Sequence, residues 1–365
     1  LQKNCFNIKA CEQAVFPVRT SRDIRDGYLE AKDCDINEDG FAKRCTSACG
    51  QYFYRGNQFG EGINAFVADP GMHFVKAIKI ERKEGIPYGK NVYSDQEILA
   101  SPDTRFRPVD LQAAPDGSLF IADMYHGICQ HRFFMSAHLR KFILKHNLEE
   151  PQGLGRIYRL SAKNKKPMAW KPFASRGVDE LAAALASENP WIRDTAQRIL
   201  VDSNPPNAKA AIEAVYQETD SILGKIHVLW TLEGIGQLTE QHVLDALTHG
   251  DKDLRMHAAR LSWRLENSDK MMHAMIKATP EDFDGSSYYL YQRIANFDHS
   301  DARNFIADAY LKCADKPFME QTLLSGSGKD VEKWMVLITD AGKQSRIRNL
   351  YENSKKVNRS LPPEL

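Results

Sequence analysis

The chain has almost no surplus of charge of either sign and no long apolar run, and these two absences argue against nucleic-acid and membrane partners. Its 365 residues include 49 Lys and Arg against 48 Asp and Glu, which gives a net charge of +1. Proteins that bind nucleic acid or an acidic membrane surface generally carry a basic surplus. No apolar stretch approaches the length that a membrane-spanning helix needs. We therefore expect neither a nucleic-acid partner nor a membrane span.

An initiator Met and a signal peptide are also missing, because the sequence begins at Leu1. We expect either that the natural start has been removed or that the chain is one piece of a longer protein.

Cysteine is scarce in the second half of the chain, where only Cys313 occurs. The other six lie in the first part, at Cys5, Cys11, Cys34, Cys45, Cys49 and Cys129. An even set in a loop-rich region predicts disulfides and an oxidising compartment, either the periplasm or the extracellular space. The alternative is a set of buried free thiols in a reduced protein.

Short segments rich in β-branched and aromatic residues follow one another up to Leu160. They are YFYRG (52–56), INAFVADPGMHFVKAIKI (63–80), FRPVDLQAAPDGSLFIAD (106–123) and GRIYRL (155–160). Pro70-Gly71 suits a type II turn with positive φ at Gly71, and Pro115-Asp116-Gly117 marks a second hairpin. Strands joined by such turns predict an all-β sandwich, barrel or propeller, with a helical insertion and a loop at 135–155.

The length of this region limits what a propeller would look like. One blade takes about 40–50 residues, and a closed ring needs about four to eight blades. Residues 1–160 therefore hold two or three blades at most, and an open set of blades leaves unpaired edges. We expect a partial β-propeller made of the last two or three blades. The remaining blades would come from a preceding segment or from another protein chain.

The period of the apolar residues becomes helical after a basic, proline-containing linker at 161–177. The segments NPWIRDTAQRIL (189–200) and DKDLRMHAARLSWRL (251–265) share an apolar residue followed by Arg, and then Ala three residues later. Their arginines, Arg193 and Arg255, lie 62 residues apart. This separation corresponds to about two units of the length typical of two-helix repeats.

The repeated pattern predicts an α-solenoid of HEAT-like repeats over residues 178–350. Lys225 lies midway between the two arginines and occupies the same slot. We expect Ala196 and Ala258 to let neighbouring helices approach closely, and the basic residues to tie adjacent repeats. Residues 351–365 are expected to form a frayed tail.

Several of these stretches, taken in order, resemble a known family. They are CGQYFYRGNQF, NAFVADPGMHFV, FRPVDLQAAPDGSLFIADMYHGICQH, MSAHLRK, GLGRIYRL, NPWIRDTAQRIL and LWTLEGIGQL. They are collinear and similar to the membrane-bound dehydrogenase, or PVC-type haem-binding CxxCH, proteins. The resemblance covers roughly Cys45 to Leu265. It implies a propeller like that of pyrroloquinoline-quinone-dependent sorbosone and glucose dehydrogenases, followed by HEAT repeats and a small cytochrome c module.

Two features depart from that family. No CxxCH occurs, and the nearest spacing is CTSAC at 45–49, so we expect no covalent haem c in this chain. The early blades, which in quinone-dependent propellers hold much of the catalytic machinery, are also absent. The resemblance therefore implies a C-terminal part of an exported dehydrogenase-like protein, with pyrroloquinoline quinone and a cytochrome c module elsewhere in the parent protein.

Alternating oxygen-bearing side chains precede Gly40 in the stretch DCDINEDGF (33–41). They are Asp33, Asp35, Asn37 and Asp39. Such a pattern before a tight glycine turn resembles the first half of an EF-hand loop and predicts a Ca²⁺ site. The slot of the closing Glu is occupied by Thr46. The alternative is a solvated turn between strands.

A polar cluster ends the second predicted hairpin. Asp123 and His126 follow its second strand, while Arg107 and Asp110 lie on its first strand. A carboxylate beside His126 would orient it as a general base for alcohol oxidation, which makes these four residues weak catalytic candidates. The alternative is that they tie blades together or form a pocket wall.

Two functions remain open on this basis. The first is the closing part of an exported sugar or alcohol dehydrogenase whose HEAT module binds protein partners. The second is a non-catalytic propeller–solenoid scaffold, or a subunit of a cell-envelope complex that binds glycan or protein.

Overall fold

The computed structural model describes residues 14–18, 39–45, 47–60, 62–129, 131, 133, 135, 137–327 and 331–359. The chain forms two compact units. The first unit comprises the chain up to residue 83, residues 87–172 and residues 188–192. The second unit comprises residues 84–86, residues 173–187 and the chain from residue 193 onward. Antiparallel sheets occupy the N-terminal half and helices follow them, so the predicted order of β then α is confirmed.

The first sheet contains five strands. Four of them, β1 (Cys49–Phe53), β2 (Ala65–Asp69), β3 (Phe74–Lys83) and β4 (Ile86–Asn91), lie side by side in that order, and β5 (Leu99–Ala100) also pairs with β3. The expected hairpin between β2 and β3 is present and antiparallel. Its positive φ, however, lies at His73 (60°) and not at Gly71, so the predicted type II turn is wrong in detail.

The second sheet contains three antiparallel strands in the order β6 (Pro108–Ala113), β7 (Leu119–Asp123) and β8 (Arg156–Leu160). The β6–β7 turn uses Gly117 at φ 84°, a conformation that suits glycine because it has no Cβ. Asp116 Oδ1 accepts hydrogen bonds from the Ser118 amide (3.0 Å) and hydroxyl (2.6 Å), as an Asx turn does. The Pro-Asp-Gly hairpin predicted from the sequence is thus confirmed.

The two sheets share one apolar core. Phe66 and Val75 from the first sheet belong to one hydrophobic cluster with Leu111 and Ile121 from the second, and each of these four side chains is at most 1 % exposed. Tyr54 closes one side of this core, and its hydroxyl donates a hydrogen bond to the Gly117 carbonyl at 2.6 Å. The turn of the second sheet is therefore fixed by a residue that follows β1.

The faces of the second sheet differ sharply in exposure. Strand side chains alternate between faces, so Phe120, Ala122, Ile157 and Arg159 share the face opposite the core. On that face Phe120 is 37 % exposed and Ile157 is 72 % exposed. β8 is also an edge strand, because it pairs only with β7 within the described part of the chain.

One helix, α1 (Ala137–Lys145), lies between β7 and β8, and twelve more follow β8 in the described residues. They are α2 (Val178–Ala184), α3 (Pro190–Ser203), α4 (Ala208–Glu218), α5 (Ile222–Gly234), α6 (Glu240–Thr248), α7 (Lys252–Leu261), α8 (Asp269–Ala278), α9 (Ser287–Ile294), α10 (Ser300–Cys313), α11 (Met319–Ser327), α12 (Val331–Met335) and α13 (Ala341–Arg359). Among the described helices, none is long and apolar enough to cross a lipid bilayer.

Successive helices of the second unit pack against their neighbours around small and branched apolar residues. Ala196 in α3 and Ala258 in α7 are both completely buried. Asp251 caps α7, because its Oδ1 accepts the amides of Asp253 (2.8 Å) and Leu254 (3.0 Å). α13 includes residues 351–359 of the predicted tail.

Candidate functional site

Arg107 stands at the centre of the polar cluster that the sequence singled out. It directly precedes β6, is 7 % exposed, and its guanidinium donates hydrogen bonds to three backbone carbonyls. These belong to Pro70 (2.7 Å), His126 (3.2 Å) and Gly127 (3.3 Å). Arg107 thereby ties the β2–β3 turn to the segment that follows β7.

Asp123 completes this arrangement from the end of β7. Its side chain is 2 % exposed, and Oδ1 accepts hydrogen bonds from the backbone amides of Arg107 (2.7 Å) and Tyr125 (2.8 Å). The second oxygen, Oδ2, is buried and has no hydrogen-bond partner within the described part of the chain. Buried carboxylate oxygens usually find a donor, so this atom is the one unexplained polar group of the cluster.

Tyr125 lies between Asp123 and His126 in a strained backbone conformation with φ 42°. Its hydroxyl donates to Asp103 Oδ2 at 2.8 Å, and the guanidinium carbon of Arg156 lies 3.5 Å from the centre of its ring. The hydrogen bond to Asp103 raises the pKa of Tyr125, because the carboxylate stabilises the protonated phenol. Tyr125 is thus held as a neutral hydrogen-bond donor.

His126 is half-buried, and its Nδ1 lies 2.6 Å from the Ile128 carbonyl, to which it donates. No described hydrogen bond joins its ring to the carboxylate of Asp123 or Asp110. Asp123 and His126 are therefore neighbours whose side chains bond to different backbone groups.

Asp110 lies apart from the other three candidates. It is exposed on β6 opposite Ala122, and its side chain forms no hydrogen bond or ion pair with a described residue. Its charge acts on Cys49, whose thiol lies 4.0 Å from the Pro108 carbonyl. Burial, and then the charges of Asp69 and Asp110, raise the pKa of the Cys49 thiol, so this thiol is a poor nucleophile.

Two polar residues that the sequence did not place among the catalytic candidates belong to the same cluster. His73 is 2 % exposed, and its Nδ1 donates to the Phe106 carbonyl at 2.7 Å. Asp69 is completely buried, and its Oδ1 accepts the Ser47 hydroxyl (2.7 Å) and the Met72 amide (3.0 Å). Both residues, like Arg107 and Asp123, hold turns in place through backbone groups.

The predicted calcium loop falls mostly outside the described residues. Asp33, Asp35 and Asn37 lie outside them, whereas Asp39 is described and precedes Gly40 at φ 90°. Among the described residues, no group of three or more His, Cys, Asp or Glu is arranged to hold a metal ion. The Ca²⁺ site therefore stays a prediction.

The predicted disulfides cannot be assigned a connectivity from the described cysteines. Cys49 and Cys313 are free thiols. Cys5, Cys11 and Cys34 lie outside the described residues.

Comparison with known protein families gives a match over the first part of the chain. Residues 2–164 are similar to DUF7133, a domain of unknown function. This stretch includes both sheets and the Arg107–Asp123 cluster. The comparisons with curated proteins and with solved structures gave no match.

Proposed function

We propose that this chain is a scaffold, made of propeller-type blades followed by HEAT-like helical repeats, that binds protein partners and performs no redox chemistry of its own. The observation that carries this proposal is that the side chains of Arg107 and Asp123 form their hydrogen bonds with backbone groups. Their polar atoms hold backbone groups of three loops, and of these atoms only Asp123 Oδ2 has no hydrogen-bond partner within the described part of the chain. A cluster occupied in this way fixes loop positions.

A general base would need a different arrangement. A catalytic His is oriented by a hydrogen bond to its carboxylate and presents its other nitrogen to the substrate. His126 donates from Nδ1 to the Ile128 carbonyl, and Asp123 Oδ1 is occupied by the amides of Arg107 and Tyr125. Histidine bound to a carbonyl is oriented, but it gains no charge partner to stabilise an imidazolium.

The exposure of the second sheet supports the part of the proposal that concerns blades. In a propeller each sheet packs between its neighbours, and β2 and the first five residues of β3 are buried on both faces. The outer face of the second sheet exposes Phe120 and Ile157 instead. An apolar face beside an edge strand that pairs only with β7 among the described strands suits further β structure, from a preceding segment or from another chain.

Equivalent contacts at the predicted repeat positions support the HEAT-like part. Arg193 Nη1 donates to the Ser187 carbonyl at 2.5 Å, and Arg255 Nη1 contacts the His249 carbonyl at 3.4 Å. In both cases the acceptor lies six residues before the arginine, in the turn ahead of the helix. Lys225 likewise donates to a preceding carbonyl, that of Tyr216, at 2.8 Å.

The second candidate function is the closing part of an exported, quinoprotein-like sugar or alcohol dehydrogenase. The family resemblance favours it, and so does one atom, the buried and unpartnered Oδ2 of Asp123. A carboxylate oxygen without a donor suits a ligand group or a cation supplied by the parent protein. Pyrroloquinoline quinone and Ca²⁺ would then be held mainly outside this chain, and electrons would pass to a cytochrome c module.

The scaffold proposal is tested at the outer face of the second sheet. We expect the isolated chain to self-associate with rising concentration in sedimentation velocity, because Ile157 is exposed and no other described strand pairs with the outer edge of β8. Ile157→Lys should abolish this association, whereas the control Val336→Lys, at a residue 63 % exposed in the second unit, should not. A wild-type chain that stays monomeric throughout, or an Ile157→Lys variant that associates like wild type, would contradict the proposal.

A further inference from the structure

A groove runs between two helices of the second unit, α6 and α8. Its volume is about 660 Å³, which lies within the range of ligand-binding pockets. Aliphatic side chains from both helices form its floor; they are Leu244, Leu247, Ala274 and Ala278. Leu244 and Leu247 are nearly completely buried, so the floor is apolar and well packed.

Two lysines border this floor on one side. Lys270 and Lys277 both line the groove from α8 and are exposed. They are seven residues apart, which places them on one face of the helix about 10.5 Å apart along its axis. Neither ammonium group forms an ion pair or hydrogen bond with a described residue.

The other charged residues of the groove already have partners. Asp245 Oδ1 accepts a hydrogen bond from Gln241 Nε2 at 2.6 Å. Arg255 donates to the Gly250 carbonyl at 2.7 Å and to Asp284 Oδ2 at 3.0 Å. The two lysines are therefore the uncommitted charges of the groove, and their sign selects an anionic partner.

We propose that this groove binds an acidic amphipathic helix of a partner protein. A helix with carboxylates at positions i and i+7 presents them about 10.5 Å apart, which matches the spacing of Lys270 and Lys277. Apolar residues at i+3 and i+4 lie between those carboxylates on the same face and rest on the aliphatic floor. This inference rests on the proposed scaffold function and names the chemistry of one partner.

Fluorescence anisotropy with labelled synthetic helices and the full chain tests the proposal. The first peptide carries Glu at i and i+7 and Leu at i+3 and i+4; the second replaces both Leu by Ser; the third replaces both Glu by Lys. We expect the first peptide to bind, and the other two to bind at least about tenfold more weakly. Rising salt should weaken binding of the first peptide, because the lysines are exposed.

Charge reversal on α8 provides the matched variants. The double substitution Lys270→Glu with Lys277→Glu should weaken binding of the first peptide by about tenfold or more, because two attractive charge pairs become repulsive. The control, Lys141→Glu with Lys145→Glu on α1, makes the same charge change at exposed lysines outside the groove and should leave affinity within about twofold of wild type. Unchanged circular dichroism would show that both variants remain folded, as is expected for exposed positions.

Three outcomes would overturn the proposal: no binding of the first peptide by the wild-type chain, equal binding of all three peptides, or equal affinity in the α8 variant. The Ile157-dependent self-association is measured in parallel, because it tests the proposed scaffold function independently of the groove. Absent peptide binding with intact association rejects the groove alone. Peptide binding that depends on Lys270 and Lys277, in a chain that does not associate, supports the groove and rejects the scaffold interface at the second sheet.

Discussion

Replacing Arg107 by Met is the perturbation that most directly probes the polar cluster. Methionine keeps an apolar stem of similar length but has no donors for the carbonyls of Pro70, His126 and Gly127. A buried carbonyl left without a donor costs about 1–3 kcal/mol. Two of the three bonds are only partly buried and the third, to the Gly127 carbonyl, is long at 3.3 Å. The lower end of this range therefore applies to each of the three, and the sum is about 3 kcal/mol. Arg107→Lys, which retains one charged donor group, should lie between wild type and Arg107→Met.

The control for this variant is Arg159→Met. Arg159 also bonds across the second sheet, to Asp116 and to the Ser118 hydroxyl at 3.0 Å, but its side chain is 48 % exposed. Exposed ion pairs contribute about 0–1 kcal/mol, so this variant should remain close to wild type in stability.

Hydrogen exchange at the amides of β6 and β7, measured at several denaturant concentrations, reads the stability of the first unit separately from that of the helices. We expect Arg107→Met to lower the free energy of opening by about 3 kcal/mol and Arg159→Met by less than about 1 kcal/mol. A difference between the two variants below about 0.5 kcal/mol, with both folded, would refute the view that Arg107 holds these loops.

Three further predictions concern buried residues. Ala196→Leu and Ala258→Leu should each overpack a helix contact and lower the free energy of unfolding by about 1–3 kcal/mol. The control Ala210→Leu, at an exposed position of α4, should change that free energy little. Equal melting temperatures for all three variants would contradict the packing of Ala196 and Ala258. Lys76 and Glu97 form an ion pair of 3.1 Å with both side chains 2 % exposed, so Lys76→Met alone should cost about 3–5 kcal/mol, and adding Glu97→Leu should recover most of that loss in urea titrations. Burial raises the pKa of Glu97, so the folded state binds the carboxyl proton more tightly than the unfolded chain does. The free energy of unfolding should therefore fall as the pH rises from about 4.3 towards the raised pKa. A Glu97→Gln variant with the same pH dependence as wild type over that window would contradict this cause.

Local patterns predicted the elements of the fold well, because each hairpin carries its own turn chemistry. The alternation in residues 106–123 and the Gly117 turn both follow from interactions within a few residues. The turn after β2 was predicted less well, since its positive φ falls on His73, where a hydrogen bond to the Phe106 carbonyl 33 residues away contributes to the conformation. A long-range contact of this kind leaves no trace in the spacing of residues.

The candidate site was predicted in part for the same reason. Arg107 and Asp110 are three residues apart, and the two-residue period of a strand already places such residues on opposite faces. Asp69 was missed because it reaches the cluster from a different hairpin, and the position of His73 beside a turn predicted only a structural role. The hydrogen-bond partners of Arg107 are mostly backbone carbonyls, which every residue carries, so no side-chain motif in the sequence predicts them.

The most direct test of the scaffold account measures cofactor-dependent turnover in the longest natural form of the protein. The protein would be incubated with pyrroloquinoline quinone, Ca²⁺, a panel of sugars and alcohols, and a dye as electron acceptor. The variants are His126→Ala and Asp123→Asn, of which the second keeps an acceptor oxygen for the amides of Arg107 and Tyr125. The account predicts that each variant changes any turnover by less than about tenfold, because neither residue performs the chemistry. A loss of about 10²–10⁴-fold in a variant that remains folded by circular dichroism is the size expected for removal of a general base, and it would contradict the account.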